Sequence, residues 1–164
     1  MSRAFVKEGS GELEPLPDLP LSPHPNYVTP HGLASLRARL AEAQATLTHL
    51  RARAERLDKL PEAAAERDIR YLEARLKSAI LANTAAQGTQ TVAFGHAVTV
   101  ADDQGRQTTY KITGEDEADA ANHRIAPQSP LARALIGAVV GDIVTWKRPS
   151  GAVELQVLNI TCPA

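Results

Sequence analysis

Residues able to do chemistry are few in this chain, and their spacing matches no catalytic signature. The sequence contains no glycine-rich phosphate loop, no G-x-S-x-G motif and no H-E-x-x-H motif. The five histidines are scattered without the spacing of metal ligands, and the single Cys162 excludes an internal disulfide and a cysteine-based zinc site. We therefore expect that the protein is not an enzyme and that it holds no cofactor and no metal.

Two carboxylates, Asp58 and Glu62, are the acidic candidates at a break between two helical patterns. Lys59 lies between them, and Arg56 is close by in the sequence. A simple interpretation is that Asp58 ends one helix and Glu62 begins the next, where the positive end of a helix favours a negative charge. A functional role for the pair at this break remains the alternative.

The elements that would position these carboxylates are indicated by a seam of Leu and Ala in steps of three and four residues. This is the a/d pattern of a coiled coil. The seam consists of Leu33, Leu36, Leu40, Ala43, Leu47, Leu50, Ala54 and Leu57, followed after the break by Ala65, Ile69, Leu72, Leu76 and Ala79. Two amphipathic helices joined by a short turn must lie antiparallel. The sequence thus predicts a coiled-coil hairpin over residues 30–85.

Capping residues suggest where the two helices begin and end. Thr29 can act as the N-cap of the first helix, with Pro30 at the first helical position, where a missing N–H costs nothing. We expect this helix to run to about Asp58, a length of about 42 Å at 1.5 Å per residue. The second helix is expected to begin at Pro61 and to end near Asn83.

Residues 1–29 form a proline-rich tail ahead of the hairpin. Five prolines exclude a helix there and favour extended structure. Disorder is the favoured interpretation for this composition, and a docked strand is the alternative. Four leucines could let the segment rest on another part of the molecule: Leu13, Leu16, Leu19 and Leu21.

From Gly88 onward the apolar period changes to two, which indicates strands. Ser129 and Pro130 open one short helix, and Gly137 closes it. The expected strands cover residues 97–100, 107–112, 143–146 and 153–160. We therefore predict an α+β protein, in which the hairpin is followed over residues 86–164 by a small antiparallel β-sheet domain with one short helix.

Composition and charge limit the partners. The net charge is −1, and residues 30–83 carry ten Lys and Arg against seven Asp and Glu, so no segment is basic enough to indicate nucleic-acid binding. Aromatic residues make up only 4%, which argues against a platform for stacking bases. No apolar run approaches membrane-spanning length, and the N-terminus has no signal-peptide core. We expect a cytoplasmic protein with a protein partner and no membrane association.

Several blocks of the second half resemble the C-terminal domain of the GreA/GreB transcription elongation factors. The specific part is SPLARALIG at residues 129–137, and YKITGEDEAD at residues 110–119 is a second block. YVTPHG at residues 27–32 resembles the segment that opens the first helix of the family. The remaining matches are Phe94 and Gly95, Gly141 and Asp142, residues 149–151 and residues 154–157.

The resemblance implies an FKBP-like C-terminal domain that binds RNA polymerase, and a hairpin that enters the secondary channel of the polymerase. In the family, acidic residues at the hairpin tip help to hold a metal ion and stimulate cleavage of backtracked RNA. The family-like string makes Ser129, Pro130, Leu131 and Arg133 the candidate polymerase-binding residues. We expect a monomer, with any association with DNA or RNA made indirectly through the transcription complex.

The tip departs from the family pattern. Active members carry an acidic tip string, and residues 56–66 of this chain do not match it. The hairpin also lacks about 15 residues relative to a GreB-like pattern, which would retract the tip by roughly 11 Å. Metal–carboxylate bonds close at about 2.0–2.6 Å, so a retraction of that size cannot be absorbed by rotamers.

Four functions therefore compete. The favoured one is a polymerase-binding regulator of the Gre type that competes at the channel without strong cleavage. The second is an active cleavage factor that docks differently and delivers Asp58 and Glu62. The third is an FKBP-like prolyl isomerase, which would need a prolyl pocket lined with aromatic residues, whereas the C-terminal region offers only Phe94, Tyr110 and Trp146. The fourth, a bare coiled-coil interaction module, leaves the C-terminal string unexplained.

Overall fold

The structure is a computed structural model that describes residues 14–163. It consists of a helical hairpin and a five-stranded sheet covered by one short helix, which confirms the α+β class. The helices are α1 (Pro30–Arg51), α2 (Leu60–Ser78) and α3 (Pro130–Leu135). The strands are β1 (Tyr27–Val28), β2 (Ile80–Leu81), β3 (Ala97–Ala101), β4 (Gln107–Ile112), β5 (Arg124–Ile125), β6 (Ile143–Arg148) and β7 (Gly151–Thr161).

Helix α1 begins as the sequence predicts and ends earlier. The Thr29 hydroxyl accepts a hydrogen bond from the Gly32 N–H at 2.9 Å, and Pro30 occupies the first turn. The helix ends at Arg51, so the expectation that it reaches Asp58 is wrong. Because α2 begins only at Leu60, an α1 extended past residue 51 would have no facing helix, and an unpartnered turn gains little from burial.

The Leu and Ala seam of the first helix is covered by the hairpin only as far as Leu50. Leu36, Leu47 and Leu72 are buried, and most of the remaining seam residues are half-buried. In contrast, Ala54 is exposed and Leu57 has a relative exposure of 95%. The last two positions of the first run therefore belong to the connecting loop, and the apolar pattern overstates the helix.

The proline-rich segment docks on the hairpin over residues 14–29, contrary to the interpretation as disorder. Strand β1 pairs in parallel with β2, which follows α2 directly. Nearer the start of the segment, Arg70 of α2 donates to the Asp18 carboxylate at 2.6 Å and to the Leu16 carbonyl at 2.8 Å. Leu16 and Leu19 are half-buried, Leu21 is exposed, and Leu13 lies outside the described residues. The segment is thus a third element of the hairpin.

The sheet has the strand order β5-β4-β3-β7-β6. Its neighbours are antiparallel except β4 and β5, which are parallel, so the expected purely antiparallel sheet needs that correction. The apolar core of this domain is formed by residues of the sheet, of α3 and of the neighbouring connections: Val92, Val98, Val100, Ile112, Leu131, Leu135, Ala138, Leu155, Val157 and Ile160. The Ser129 hydroxyl caps α3, and Gly137 ends its turn with φ at 88°, a conformation that favours glycine.

Over residues 14–163, neither long helix is apolar enough to cross a membrane.

Candidate functional site

The hairpin tip is a loop over residues 52–59, and an arginine side chain in the loop binds backbone groups at both of its ends. Arg53 donates from Nε to the Leu50 carbonyl at 3.1 Å and from a terminal nitrogen to the Asp58 carbonyl at 3.3 Å. The Asp58 carboxylate accepts a hydrogen bond from the Leu60 N–H at 2.9 Å. Asp58 therefore lies just before Lys59, the N-cap of α2, rather than at the end of α1, and its carboxylate already accepts a local backbone hydrogen bond.

Glu62 is held by arginine on two sides. Arg56 donates to its two carboxylate oxygens at 2.9 and 2.5 Å, and a terminal nitrogen of Arg53 lies 3.9 Å away. The hydrogen bond from Arg56 lowers the pKa of Glu62, so the carboxylate stays ionised while it is engaged. With a relative exposure of 5%, Glu62 presents little of its side chain to a ligand.

The structure places Asp58 in the connecting loop and Glu62 in the first turn of α2, and it pairs Glu62 with arginine side chains that the sequence did not pair with it. Arg56 and Glu62 are six residues apart, which is not a helical contact spacing, so no sequence signal predicts their pairing. Across residues 14–163 no group of three or more His, Cys, Asp or Glu side chains could hold a metal ion. The two tip carboxylates are therefore bound by arginine and backbone groups of the protein and do not form a set of free metal ligands.

The second candidate site is the start of α3. Ser129 forms the N-cap, and Pro130 and Arg133 are exposed. Leu131 has a relative exposure of 3% and lies in the sheet core. The expectation that Leu131 makes a direct surface contact therefore needs correction, because an exposed helix of six residues must bury one face and Leu131 is on that face. Pro130 and Arg133 remain the surface members of this prediction.

An exposed apolar stretch after α3 was missed at the sequence level. Ile136, Val139, Val140 and Ile143 all expose 40% or more of their surface, from 41% at Val139 to 66% at Ile143. They span the connection from the C-cap of α3 to the first residue of β6, where no strand-like alternation marks which side chains are buried. These side chains form an exposed apolar patch that follows the exposed residues of α3 along the chain.

The aromatic residues expected near a prolyl pocket do not gather in one place. Tyr110 and Trp146 lie edge to face with their ring centroids 6.3 Å apart, in a cleft of about 340 Å³ on the sheet. Phe94 instead contacts Tyr27 of the N-terminal segment, at a centroid distance of 6.0 Å. Only two of the three candidates therefore share the cleft.

Comparison with known proteins finds a likeness over the second half of the chain. Residues 87–162 match the family model described as transcription elongation factor GreA/GreB, C-term. Transcription elongation factor GreA of Thioalkalivibrio sulfidiphilus is 39% identical over 94 residues, covering 56% of this chain and 60% of that protein. Transcription elongation factor GreB of Neisseria meningitidis serogroup B is 41% identical over 96 residues, covering 58% of this chain and 59% of that protein.

Solved structures also align with the chain. The GreA factor homolog 1 (Gfh1) protein of Thermus thermophilus covers 84% of this chain and 99% of its own at 24% identity, with a TM-score of 0.41. A GreA/GreB factor from Nitrosomonas europaea covers 83% and 98% at 16% identity, with a TM-score of 0.42. The likeness to the GreA/GreB family model lies in residues 87–162, and the chain spans about three-fifths of the length of the curated relatives that it matches.

Proposed function

We propose that this protein is a Gre-type transcription elongation regulator that binds RNA polymerase at the secondary channel and stimulates transcript cleavage weakly or not at all. The GreA/GreB C-terminal domain supports the class of function, and the helical hairpin ahead of it supports a channel-directed element. One observation carries the second half of the proposal: the tip carboxylates are already engaged by arginine and backbone groups.

The chemistry of cleavage explains why the engaged carboxylates matter. A carboxylate that helps to hold a divalent metal must offer free oxygen lone pairs at about 2.0–2.6 Å. Glu62 has both oxygens bound to Arg56, and releasing them would leave that guanidinium unpaired. Helix α1 also ends seven residues before Asp58, where the sequence predicts its end. The helical stem is therefore about 10 Å shorter than expected, at 1.5 Å per residue.

A cleavage assay on backtracked transcription complexes tests the tip. The wild-type protein should give little cleavage above background, and the double variant D58A/E62A should give the same. Competition with a cleavage-active Gre factor should persist in both, because it needs only the body and the helical stem. Strong cleavage by the wild type that is lost on Asp58→Ala would overturn the proposal in favour of an active cleavage factor.

Co-purification tests the polymerase-binding residues. The double variant P130A/R133A should lose co-purification with RNA polymerase while it keeps its thermal melting temperature, since both side chains are exposed and outside the core. Arg106→Ala is the matched control, because it also removes an exposed arginine of the sheet domain. Retained binding by the double variant would place the interface elsewhere.

A further inference from the structure

Three consecutive carboxylates connect the sheet domain to the hairpin. Glu115, Asp116 and Glu117 form one 3-10 turn after β4, and their side chains are 25%, 10% and 5% exposed. Glu115 and Asp116 both contact Arg75 of α2, and Glu117 contacts Thr29 at the start of α1. We propose that this turn, which we call the acidic mount, fixes the direction of the hairpin relative to the sheet, with Arg75 as the principal positioning residue.

Arg75 is the centre of the mount on the α2 side. It is 3% exposed and donates to Asp116 at 2.5 Å, to Glu115 at 3.3 Å and to the Asn26 side-chain oxygen at 2.7 Å. Tyr71, one helical turn earlier, donates its hydroxyl to the other oxygen of Asp116 at 2.5 Å. Three further side chains, Glu115, Asn26 and Tyr71, therefore converge on the buried pair of Arg75 and Asp116, each from a different chain segment.

Glu117 holds the opposite helix at its N-terminus. Its carboxylate accepts a hydrogen bond from the Thr29 hydroxyl at 2.6 Å and lies 3.0 Å from the His31 ring nitrogen. Thr29 is the N-cap of α1, so the negative charge sits at the positive end of that helix. The mount thus grips α1 at its first turn and α2 near its last turn, which fixes both helices at the base of the hairpin.

Backbone contact reinforces the polar contacts. A Cβ added to Gly114, the residue before the mount, would lie 2.6 Å from the Tyr27 carbonyl oxygen. The backbone φ of Gly114 is −66°, a value open to any residue, so close approach rather than conformation requires glycine here. The mount is therefore seated directly against the N-terminal segment, with no room for even a methyl group.

The hairpin and the sheet domain have separate apolar cores, and the contacts that join them through the acidic mount are polar. The hairpin core of Val28, Leu36 and Leu72 and the sheet core form separate clusters. Hydrogen bonds between buried charged groups are directional, and removal of one partner leaves an uncompensated charge, so such a cluster favours one geometry. Small errors at the base are amplified at the tip, because a rotation of about 10° displaces the end of a 33 Å helix by about 6 Å.

The consequence for function rests on the proposed polymerase binding. If the sheet domain docks on the polymerase, the mount determines where the hairpin tip goes. A variant with a loosened mount should still bind but should compete less well for the channel. The geometric part of the inference concerns the free protein and can be tested without the polymerase.

Distance measurement between two spin labels tests the geometry. Labels at L57C on the tip and Q156C on the central strand β7 are placed in a C162S background of the full chain. We expect one narrow distance distribution for the parent protein. Arg75→Met should broaden or displace it by about 6 Å, as a rotation of about 10° would. Gly114→Ala should do the same with every charge retained, because the new Cβ collides with backbone.

Arg106→Met is the matched control, since it removes an arginine from an exposed ion pair within the sheet and should leave the distribution unchanged. Far-UV circular dichroism checks that helix and strand content persist in each variant. Unchanged narrow distributions in both Arg75→Met and Gly114→Ala would overturn the mount. Altered distances with no polymerase binding by the parent protein would leave the mount intact and reject the proposed function instead.

Discussion

The two ends of the hairpin both pair carboxylates with arginine, and they do so in opposite ways. At the tip, Glu62 pairs with Arg56 only six residues away, and the Arg56 side chain is 42% exposed. At the base, Asp116 pairs with Arg75 across 41 residues of chain, and Arg75 is buried. The tip pair joins two nearby residues and leaves the Arg56 guanidinium in contact with water although Glu62 is covered, whereas the base pair joins two distant parts of the fold.

This difference separates two roles that the same residue types can play. A surface ion pair contributes little free energy, because water screens its charges and two long side chains must be ordered. A buried ion pair contributes geometry, and it becomes costly once one partner is removed. The tip arrangement therefore matters by withholding carboxylates from a ligand, and the base arrangement matters by fixing orientation.

The largest effect is expected from Asp116→Ala at the base. The substitution leaves the buried Arg75 without its closest carboxylate and Tyr71 without an acceptor. Removal of one partner from a buried pair costs about 3–5 kcal/mol, and we expect the lower part of that range because Glu115 and Asn26 remain. Urea denaturation of both proteins measures the free energy of unfolding.

Asp103→Ala is the control for that prediction, since Asp103 is an exposed aspartate in the turn between β3 and β4. It should change the free energy of unfolding by less than about 0.5 kcal/mol. Equal losses for the two variants would contradict the distinction between a buried base and an exposed surface.

A smaller, pH-dependent effect is expected from Tyr71. Burial, together with its hydrogen bond to Asp116, raises the pKa of Tyr71 from 10.0 to about 12. Above pH 10 the unfolded chain loses the phenolic proton and the folded chain keeps it, so the stability due to this group is complete below pH 10 and is lost as pH rises toward 12. Urea denaturation across this window should show a steeper loss for the wild type than for Tyr71→Phe, and parallel curves would contradict this expectation.

The hairpin and the strand pattern could be predicted because both depend on local periodicity and capping. Thr29, Pro30 and Ser129 each mark a helix start through contacts within three residues, and the structure confirms all three. The end of α1 could not be predicted, because Ala54 and Leu57 continue the apolar period although the facing helix begins only at Leu60. Periodicity records which face of a helix could be buried and not whether a partner is present.

The site could be predicted only in part for a related reason. Asp58 lies in the connecting loop and Glu62 in the first turn of α2, and the partners of both carboxylates are set by loop geometry. The docking of residues 14–29 and the acidic mount depend on contacts between residues 40 or more positions apart, such as Ser22 with Glu115 and Arg70 with Asp18. Composition suggests a disordered tail there, and tertiary hydrogen bonds override it.

The smallest effect is expected from Glu62→Ala at the tip. Arg56 is already exposed, so it regains water when its carboxylate partner is removed, and no buried charge is left behind. The free energy of unfolding should fall far less than it does for Asp116→Ala, because water solvates the exposed guanidinium that is left behind. Glu62→Gln, which keeps the shape and one acceptor oxygen, should lie between Glu62→Ala and the wild type. If Glu62→Ala lowered the free energy of unfolding as much as Asp116→Ala does, the tip pair would stabilise the fold as strongly as the base pair. The different exposure of the two arginines would then not account for their roles.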